Sequence, residues 1–351
     1  MWSRMLWTRQ EESICMEIIS EAGAFARYAA SRLRHEHFTL LDVGCSGGID
    51  AAWRVFGEKL QAVGFDPNIE EVERLNSVET APHVRYEAGF VGVPDADPIV
   101  LKRGGKSYFG RNPWGRLAVA RTIQITAKQT AAATSQEKTA VNAWQQTKLA
   151  EDRHIHLPAY IKENNLKSVD FVKIDIDGGD FDVLQSLSGV FTDQQVLGAG
   201  LEVNFFGSDD PTEHTFHNTD RFMRAHGFAL AALTTRPYAM AALPQRYALP
   251  IPAQSTRGIP FQGDALYVRD LDERYGSEKL LKLSVLFSLA GLQDCAADVL
   301  VTCRSTINWL IDVDQALDLL AAETEIGREH GLNYRQMMEE FERDSRLFYT
   351  V

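Results

Sequence analysis

Apolar positions along the chain recur with two different spacings, one typical of strands and one typical of helices. Short apolar runs that end at glycine, proline or an acidic residue predict buried strands. Segments in which apolar residues recur every three or four positions predict helices. The strands predicted in this way are residues 38–44, 60–66, 83–92, 169–177, 196–207, 228–235 and 264–270.

Helical spacing occurs before, between and after these strands. Because strands and helices alternate, we expect a mostly parallel sheet with helices on both faces. The last two strands have no strong helix between them, so they are expected to pair antiparallel at the sheet edge. The pattern therefore predicts a Rossmann-like α/β fold with a seven-stranded sheet and an antiparallel last strand. The predicted helices are residues 11–34, 50–61, 69–78, 179–187, 219–228, 277–300 and 308–332.

Changes in composition divide the chain into three parts. Residues 1–37 are expected to form an N-terminal helical segment, residues 38–276 the α/β domain, and residues 277–351 a C-terminal helical appendage. Within the domain, residues 91–155 have weak periodicity and exceed an ordinary connection between secondary-structure elements. We interpret this insertion as a lid or an acceptor-binding segment.

The insertion contains the run GRNPWGR, which carries an indole and two guanidinium groups. Arg111, Trp114 and Arg116 offer a stacking surface and two donors suited to a sugar or its phosphate. A surface loop anchored by a buried Trp114 explains the same run equally well.

Composition and charge narrow the class of protein. The chain has 351 residues, of which 45% are hydrophobic, and this is typical of a globular protein with a sizeable core. A net charge of −12 argues against a nucleic-acid partner. The four cysteines form no C-x-x-C pair and are expected to be reduced thiols of a cytoplasmic protein. The N-terminus turns polar too soon for a signal peptide, and no run of about 18 apolar residues predicts a membrane span.

The run LLDVGCSGGID, residues 40–50, places a glycine turn between a strand and a helix. Glycines allow a ligand to approach the backbone, and the free N–H groups of the helix face it, so we expect a nucleotide-type cofactor here. The dinucleotide fingerprint fails, because Ser46 and Ile49 stand where it requires glycine. The pattern D-x-G-x-x-G-G instead resembles motif I of the S-adenosylmethionine-dependent methyltransferases. The turn residues expected to contact this cofactor are Asp42, Gly44, Cys45, Ser46, Gly47 and Gly48.

The second and third strands end in residues suited to a nucleoside. Asp66 follows Gly44 by 22 positions (66 − 44), where a carboxylate can accept hydrogen bonds from both ribose hydroxyls. This arrangement serves NAD and S-adenosylmethionine equally, and Pro67 is expected to contact the cofactor beside Asp66. The alternative is that Asp66-Pro67-Asn68 only caps the next helix. At the end of the third strand, the residues expected beside the adenine are Glu87, Ala88 and Gly89.

A third segment carries a family resemblance. The run VDFVKIDIDGGDFDVLQSL, residues 169–187, resembles the "KIDVEG…E…VL" segment of the FkbM-type methyltransferases. GFDPNIEEVERL resembles the second motif of that family, and the likeness extends over residues 38–270. The resemblance implies that S-adenosylmethionine is the cofactor and that the acceptor is a hydroxyl of a sugar, glycan or polyketide. Asp177 departs from the glutamate that is usual in the family, and this puts the roles on the substrate side in doubt.

Two acids follow the fourth strand, where the methyl group is expected. A sugar hydroxyl is a poor nucleophile, so a base or a metal should assist the transfer. Asp175 is the first candidate for orienting or deprotonating the acceptor, and it is also expected to contact the cofactor. Asp177 is the second candidate. The alternative for Asp177 and Asp180 is that they cap the following helix.

Histidines and a metal are further candidates. His214 and His217 lie in the loop after the fifth strand, where an imidazole can serve as a general base, although a structural role is equally compatible with the sequence. No metal is predicted, but a divalent ion held by Asp175, Asp177 and Glu202 stays open. The glycine spacing in DIDGGDFD does not fit an EF-hand.

The function that the sequence favours is O-methyl transfer from S-adenosylmethionine to a hydroxyl of a sugar, glycan or related metabolite. The alternatives are an NAD-dependent sugar dehydrogenase or epimerase, and a non-catalytic module that binds the cofactor or a glycan. The expected partner is a small-molecule or glycan acceptor. The amphipathic C-terminal helices are further expected to form a homodimer interface or a cap over the sheet.

Overall fold

The fold is known from a computed structural model, and the described part of the chain has internal gaps. It comprises residues 19–92, 148–150, 152–176, 178–243, 245–246, 255, 257–272 and 274–349. The candidate base Asp177 and the insertion residues Arg111, Trp114 and Arg116 lie outside it.

A mostly parallel sheet forms the centre of the molecule. Its order is β3-β2-β1-β6-β7-β10-β8, and β9 pairs with β10 as an eighth strand. The first five strands of this order are parallel, whereas β10 is antiparallel to both β7 and β8. The predicted fold class is confirmed. The strands are β1 (Phe38–Val43), β2 (Leu60–Asp66), β3 (Val84–Ala88), β4 (Phe90–Val91), β5 (His154–Ile155), β6 (Phe171–Ile174), β7 (Gly198–Asn204), β8 (Phe228–Leu233), β9 (Arg236–Tyr238) and β10 (Ile259–Arg269).

Helices cover both faces of the sheet. Among the described residues no helix is both long and apolar enough to cross a membrane. The α-helices are α1 (Ala24–Ala30), α2 (Ile69–Val78), α3 (Leu157–Glu163), α4 (Asp180–Ser186), α5 (Ser188–Asp193), α6 (Phe216–Ala225), α7 (Ser277–Leu289), α8 (Gln293–Thr302), α9 (Arg304–Ile307), α10 (Val313–Glu323), α11 (Glu325–His330) and α12 (Tyr334–Arg343).

The alternation of side chains along β1 divides the core into two layers. Successive strand residues point to opposite faces, so Leu40 packs in one layer and Leu41 in the other. The Leu40 layer contains α1, α7, α8 and α10 together with the segment 51–59. The Leu41 layer contains α3, α4, α5 and α6.

Several predicted elements differ from the observed ones. Within residues 19–34 the helix is limited to α1, shorter than the 11–34 prediction. The predicted helix 50–61 is a 3₁₀ segment, Ala51–Lys59, which is broken where Gly57 adopts a φ of 51°. Directly after the predicted strand 228–235, the residues Arg236–Tyr238 form β9, which the sequence pattern did not predict.

The C-terminal helices pack against the sheet. The predicted boundary at residue 277 coincides with the first residue of α7, but α7 is buried along nearly its whole length within the Leu40 layer. The carboxylate of Asp170 accepts hydrogen bonds from Lys279 Nζ at 2.7 Å and Lys282 Nζ at 3.2 Å. Helix α7 is therefore part of the layer that covers the sheet, and the division of the chain at residue 277 stays a prediction.

Candidate functional site

The glycine bend, residues 44–48, follows β1 directly and is held by the protein itself. Gly44 has a φ of 88°, and a Cβ at this position would lie 1.8 Å from the carbonyl oxygen of Asp175. The amides of Gly44 and Cys45 both donate to Phe65 O, at 2.9 and 3.1 Å. The first glycine is thus required by the close approach of the chain after β6.

Cys45 turns its side chain inward, under the bend. A Cβ on Gly64 of β2 would lie 2.7 Å from Cys45 Sγ, so the thiol fills the space that this glycine leaves. Burial raises the pKa of the Cys45 thiol well above its ordinary value, which makes it a poor nucleophile. The bend exposes Ser46 and Gly47 instead, and these are the positions where its backbone is accessible to a ligand.

Two side chains support the bend from its outer side. Glu71 Oε1 accepts from the amide of Gly47 at 3.3 Å, and Tyr86 Oη accepts from the amide of Ile49 at 3.2 Å. Tyr86 in turn donates to Glu79 at 3.1 Å. The bend is therefore connected to both α2 and β3.

Asp66 is the last residue of β2 and is 1% exposed. Its Oδ1 accepts from the amide of Asn68 at 2.8 Å. The cap of α2 is Asn68, whose Oδ1 accepts from the amide of Glu71 at 3.2 Å. Asp66 therefore orders the turn before α2 without serving as the helix cap itself, while the carbonyl of Pro67 accepts from Ala150 N at 2.9 Å.

The third strand ends in a charged cluster. Glu87 accepts from Arg153 at 2.7 Å and from Tyr160 Oη at 3.1 Å. The adjacent Ala88 is half-buried, and a Cβ on Gly89 would lie 2.7 Å from the side chain of Ile155. The Glu87 carboxylate is thus engaged with neighbouring side chains, and the amide of Gly89 donates to Asp66 O at 3.0 Å. Contact of these residues with an adenine stays a prediction.

A half-buried lysine joins the ends of β1 and β6. Lys173 Nζ donates to Asp42 Oδ1 at 3.2 Å and to the carbonyl of Gly44 at 3.3 Å, and it lies 3.9 Å from Asp175 Oδ2. Burial raises the pKa of the Asp42 carboxyl, and the Lys173 ammonium opposes this effect. Asp42 is 3% exposed, and its contact with a cofactor stays a prediction.

A second group of charged and polar side chains lies on β7, β9 and β10. Arg236 Nη2 contacts Asp264 Oδ1 at 2.8 Å and Glu202 Oε1 at 3.2 Å, and Gln262 donates to Glu202 at 3.1 Å. Burial raises the pKa of Asp264, with Arg236 opposing it. The sequence pattern did not indicate Arg236, Gln262 and Asp264 as site residues. They could have been recognised in the sequence as polar residues at positions of apolar strands that face the core.

Asp180 and His214 form a buried pair beside Asp175. Asp180 accepts from the amides of Ile176 and Gly178, both at 2.9 Å, and His214 Nδ1 lies 3.9 Å from its Oδ2. Burial raises the pKa of the Asp180 carboxyl, and His214 opposes this effect. Asp180 therefore holds the backbone at Ile176 and Gly178 in place.

The two candidate histidines occupy different environments. His214 Nε2 donates to the carbonyl of Glu202 at 3.0 Å, and Asn204 Nδ2 lies 3.2 Å from Nδ1, so both ring nitrogens are engaged. His217 is exposed in the first turn of α6. A catalytic role for either stays a prediction, and the geometry gives His214 the features of a support.

A groove of about 680 Å³ lies on the outer side of the bend, between the segment 51–59 and α2. Its lining includes Leu60 and Pro82, which stand at the amino ends of β2 and β3. Asp66 and Asp175 stand at the carboxyl ends of their strands, where ligands of such sheets bind. The groove also borders the bend itself, because Gly47 and Gly48 are among its lining residues.

Among the residues that the structure describes, no group of three or more His, Cys, Asp or Glu side chains is arranged to hold a metal ion. The metal site that the sequence left open includes Asp177, which lies outside those residues. A requirement for a divalent ion stays untested.

Comparison with known proteins gives one family and a set of distant structures. Residues 59–230 match the family model described as the methyltransferase FkbM domain, and no curated protein matches the chain. A TehB-like SAM-dependent methyltransferase from Corynebacterium glutamicum aligns at 7% identity and a TM-score of 0.27, covering 70% of this chain and 88% of that one. A precorrin-6y C5,15-methyltransferase from Geobacter metallireducens aligns at 9% identity and a TM-score of 0.31, covering 70% of this chain and 87% of that one. An S-adenosylmethionine dependent methyltransferase from Mesorhizobium loti aligns at 12% identity and a TM-score of 0.28, covering 69% of this chain and 95% of that one.

Proposed function

We propose that this chain, in which residues 59–230 match the methyltransferase FkbM domain, transfers a methyl group from S-adenosylmethionine to a hydroxyl of a sugar, glycan or related metabolite. One observation carries the proposal. The glycine bend, the buried carboxylate of Asp66 and the acid Asp175 all stand at the carboxyl ends of neighbouring parallel strands. In such sheets this edge forms the ligand crevice.

The residues of this crevice fit S-adenosylmethionine, which carries a ribose diol, a sulfonium and an ammonium group. Asp66 stands where a carboxylate accepts hydrogen bonds from ribose hydroxyls. Asp42 and Asp175 supply negative charge beside the bend, and opposite charges attract a cationic ligand strongly where water is partly excluded. The exposed backbone at Ser46 and Gly47 is suited to the remaining polar groups.

The chemistry divides between the cofactor and the chain. When bound, S-adenosylmethionine supplies the methyl group as an electrophile, so the protein has to align the acceptor and take up its proton. We assign the proton uptake to Asp175, because its carboxylate is part-exposed at the end of β6. Asp177 and the exposed His217 are the alternative bases, and His214 supports the Asp180 loop.

The binding of the cofactor product tests the proposal first. Titration calorimetry should show S-adenosylhomocysteine binding to the full chain, whereas a fluorescence titration with NADH should show none. A screen of hydroxylated acceptors with labelled methyl donor should then give a labelled sugar or glycan. If the protein binds NADH and does not bind S-adenosylhomocysteine, the proposal is wrong and the dehydrogenase alternative is supported.

The role of Asp175 has its own test. Asp175→Asn keeps the shape of the side chain and removes the base, so methyl transfer should fall about 10²–10⁴-fold, the range typical of general base catalysis. The affinity for S-adenosylhomocysteine should change much less. Methyl transfer at the wild-type rate would leave this residue without a catalytic role.

A reducing, cytoplasmic location is a further proposal. In the described part of the chain Cys45, Cys295 and Cys303 are free thiols, which is the usual state of cysteines in that compartment.

A further inference from the structure

The ammonium group of Lys173 stands at the one place where the cofactor-binding bend and the candidate base come together. Its Nζ contacts Asp42 Oδ1 at 3.2 Å and the carbonyl of Gly44 at 3.3 Å, and lies 3.9 Å from Asp175 Oδ2. The side chain of Lys173 is 12% exposed and that of Asp175 is 17% exposed. The interaction is therefore largely shielded from water, where charge pairs are stronger than at a surface.

Asp175 has acidic neighbours from three other elements. Its charge acts on Asp42 of β1, on Asp180 of α4 and on Asp264 of β10. Carboxylates that share a site disfavour the ionised form of one another. Arg236 pairs with Asp264 and His214 faces Asp180, whereas Lys173 lies beside both Asp42 and Asp175. A base has to be ionised before it can accept a proton, and the Lys173 ammonium favours the ionised form of Asp175.

The backbone adds a second link between the same two parts. The Cα of Gly44 lies so close to the carbonyl of Asp175 that no side chain fits between them, and the amide of Asp175 donates to Val43 O at 2.9 Å. A shift of the bend would therefore move Asp175. The ammonium of Lys173 also donates to the Gly44 carbonyl, so a side-chain contact adds to the backbone contact between the bend and the chain after β6.

We propose that Lys173 is a positioning residue of the methyl transfer, which fixes the cofactor-binding bend and the Asp175 carboxylate in one arrangement and keeps that carboxylate ionised. The proposal rests on the proposed function. It assigns to Lys173 no contact with the reacting atoms.

Two substitutions with opposite expected signs test this role. Lys173→Met removes the cation, so Asp175 becomes harder to ionise and the acid limb of the kcat/KM profile should move to higher pH by about one unit. Asp42→Asn removes an acidic neighbour and the main competitor for the ammonium, so the same limb should move to lower pH. Lys173→Met should also weaken S-adenosylhomocysteine binding about tenfold, because the bend loses its contact at Gly44.

Lys279→Met is the matched control, because Lys279 is a buried lysine that is also paired with an aspartate, Asp170, at the opposite end of β6. It should lower thermal stability without moving the pH limb or the affinity. Lys173→Arg keeps the charge and should restore the pH limb toward the wild-type position. It also provides a readout if Lys173→Met does not fold.

The outcomes separate this proposal from the one on which it rests. If wild-type protein binds S-adenosylhomocysteine but Lys173→Met and Asp42→Asn both keep the wild-type pH limb and affinity, the positioning role is overturned. If both variants move the limb in the same direction, the electrostatic account is equally overturned. A wild-type protein that binds no S-adenosylhomocysteine contradicts the proposed function itself.

Discussion

Gly44 meets two constraints at the same residue. Its φ of 88° lies in the left-handed region, and a Cβ would stand 1.8 Å from the carbonyl oxygen of Asp175. The first constraint disfavours any side chain, and the second requires movement of the backbone after β6. The small residue is thus needed for the packing of β1 against β6 before any cofactor is considered.

We predict that Gly44→Ala destabilises the protein by about 3 kcal/mol or more, or prevents folding, because a backbone clash adds to the strain of a positive φ. Urea denaturation measures the effect. Gly189→Ala in α5 is the control, since its Cβ would meet nothing within 4 Å. It should be neutral or stabilise by up to about 1 kcal/mol. Equal stability of the two variants would show that the bend relaxes freely.

We predict that Asp66→Ala weakens S-adenosylhomocysteine binding about 10- to 100-fold. Hydrogen bonds to a charged group contribute about 1.5–3 kcal/mol, and the variant removes those expected to the ribose. Calorimetry provides the measurement. Asp50→Ala, which removes an exposed cap of the segment 51–59, should leave the affinity within about threefold. A wild-type affinity for Asp66→Ala would contradict the ribose assignment.

The histidines lead to a prediction with two different readouts. His214→Ala leaves Asn204 and the Glu202 carbonyl without their ring partner in a buried region, so stability should fall by about 1–3 kcal/mol. His217→Ala should leave thermal unfolding unchanged, and a fall in methyl transfer in this variant alone would identify His217 as a base. A His214→Ala variant with wild-type stability would argue against the support role.

At the scale of elements, the link between β6 and α7 explains why the C-terminal helices belong to the main layer. Asp170 precedes β6, and its carboxylate accepts a hydrogen bond from the amide of Thr39 at 2.9 Å. It also pairs with Lys279 and Lys282 of α7. Lys282 is fully buried and also pairs with Glu36 at 2.8 Å. The cluster therefore joins β1, β6 and α7 at one end of the sheet.

We predict that Asp170→Ala destabilises the protein by about 3–5 kcal/mol, because it leaves two buried ammonium groups without their shared carboxylate. Chemical denaturation of the full chain measures this change. Asp314→Ala breaks the exposed pair with Arg304 and should have no measurable effect. A small loss for Asp170→Ala would mean that α7 is held mainly by its apolar contacts.

At the scale of the whole molecule, α12 presents an exposed apolar pair, Met338 at 40% and Phe341 at 49%. Among the described residues none of α12 is buried, although Phe341 packs edge-on against Phe348. As the sequence predicted, we propose that these C-terminal helices form a homodimer interface. Exposed apolar patches of this kind commonly mark interfaces between proteins.

We therefore expect the full chain to sediment as a dimer at micromolar concentration and Phe341→Glu to sediment as a monomer. Val301→Glu, which changes an exposed apolar residue on α8, should stay dimeric. A monomeric wild-type protein at the highest soluble concentration would rule out this interface.

Several features of the molecule follow from the sequence alone. The order of strands and helices, the glycine bend and the carboxylates that end β2 and β6 all depend on residues close together in the chain. Local spacing encodes such features, because a strand or a turn is formed by neighbouring residues. The lengths of α1 and of the segment 51–59 depend instead on packing and on the break at Gly57.

Only the tertiary structure decided which charges meet. Asp42 and Lys173 are far apart in sequence but lie in register because β1 pairs with β6, and Glu202 lies opposite Asp264 because β10 inserts between β7 and β8. These residues could be read from the sequence, but their pairing could not. The pairing depends on strand order, which is set by the burial of whole sheet faces. For the same reason Gly44 could be assigned to a cofactor from the sequence, whereas its contact with the Asp175 carbonyl became apparent only when the two strands were placed side by side.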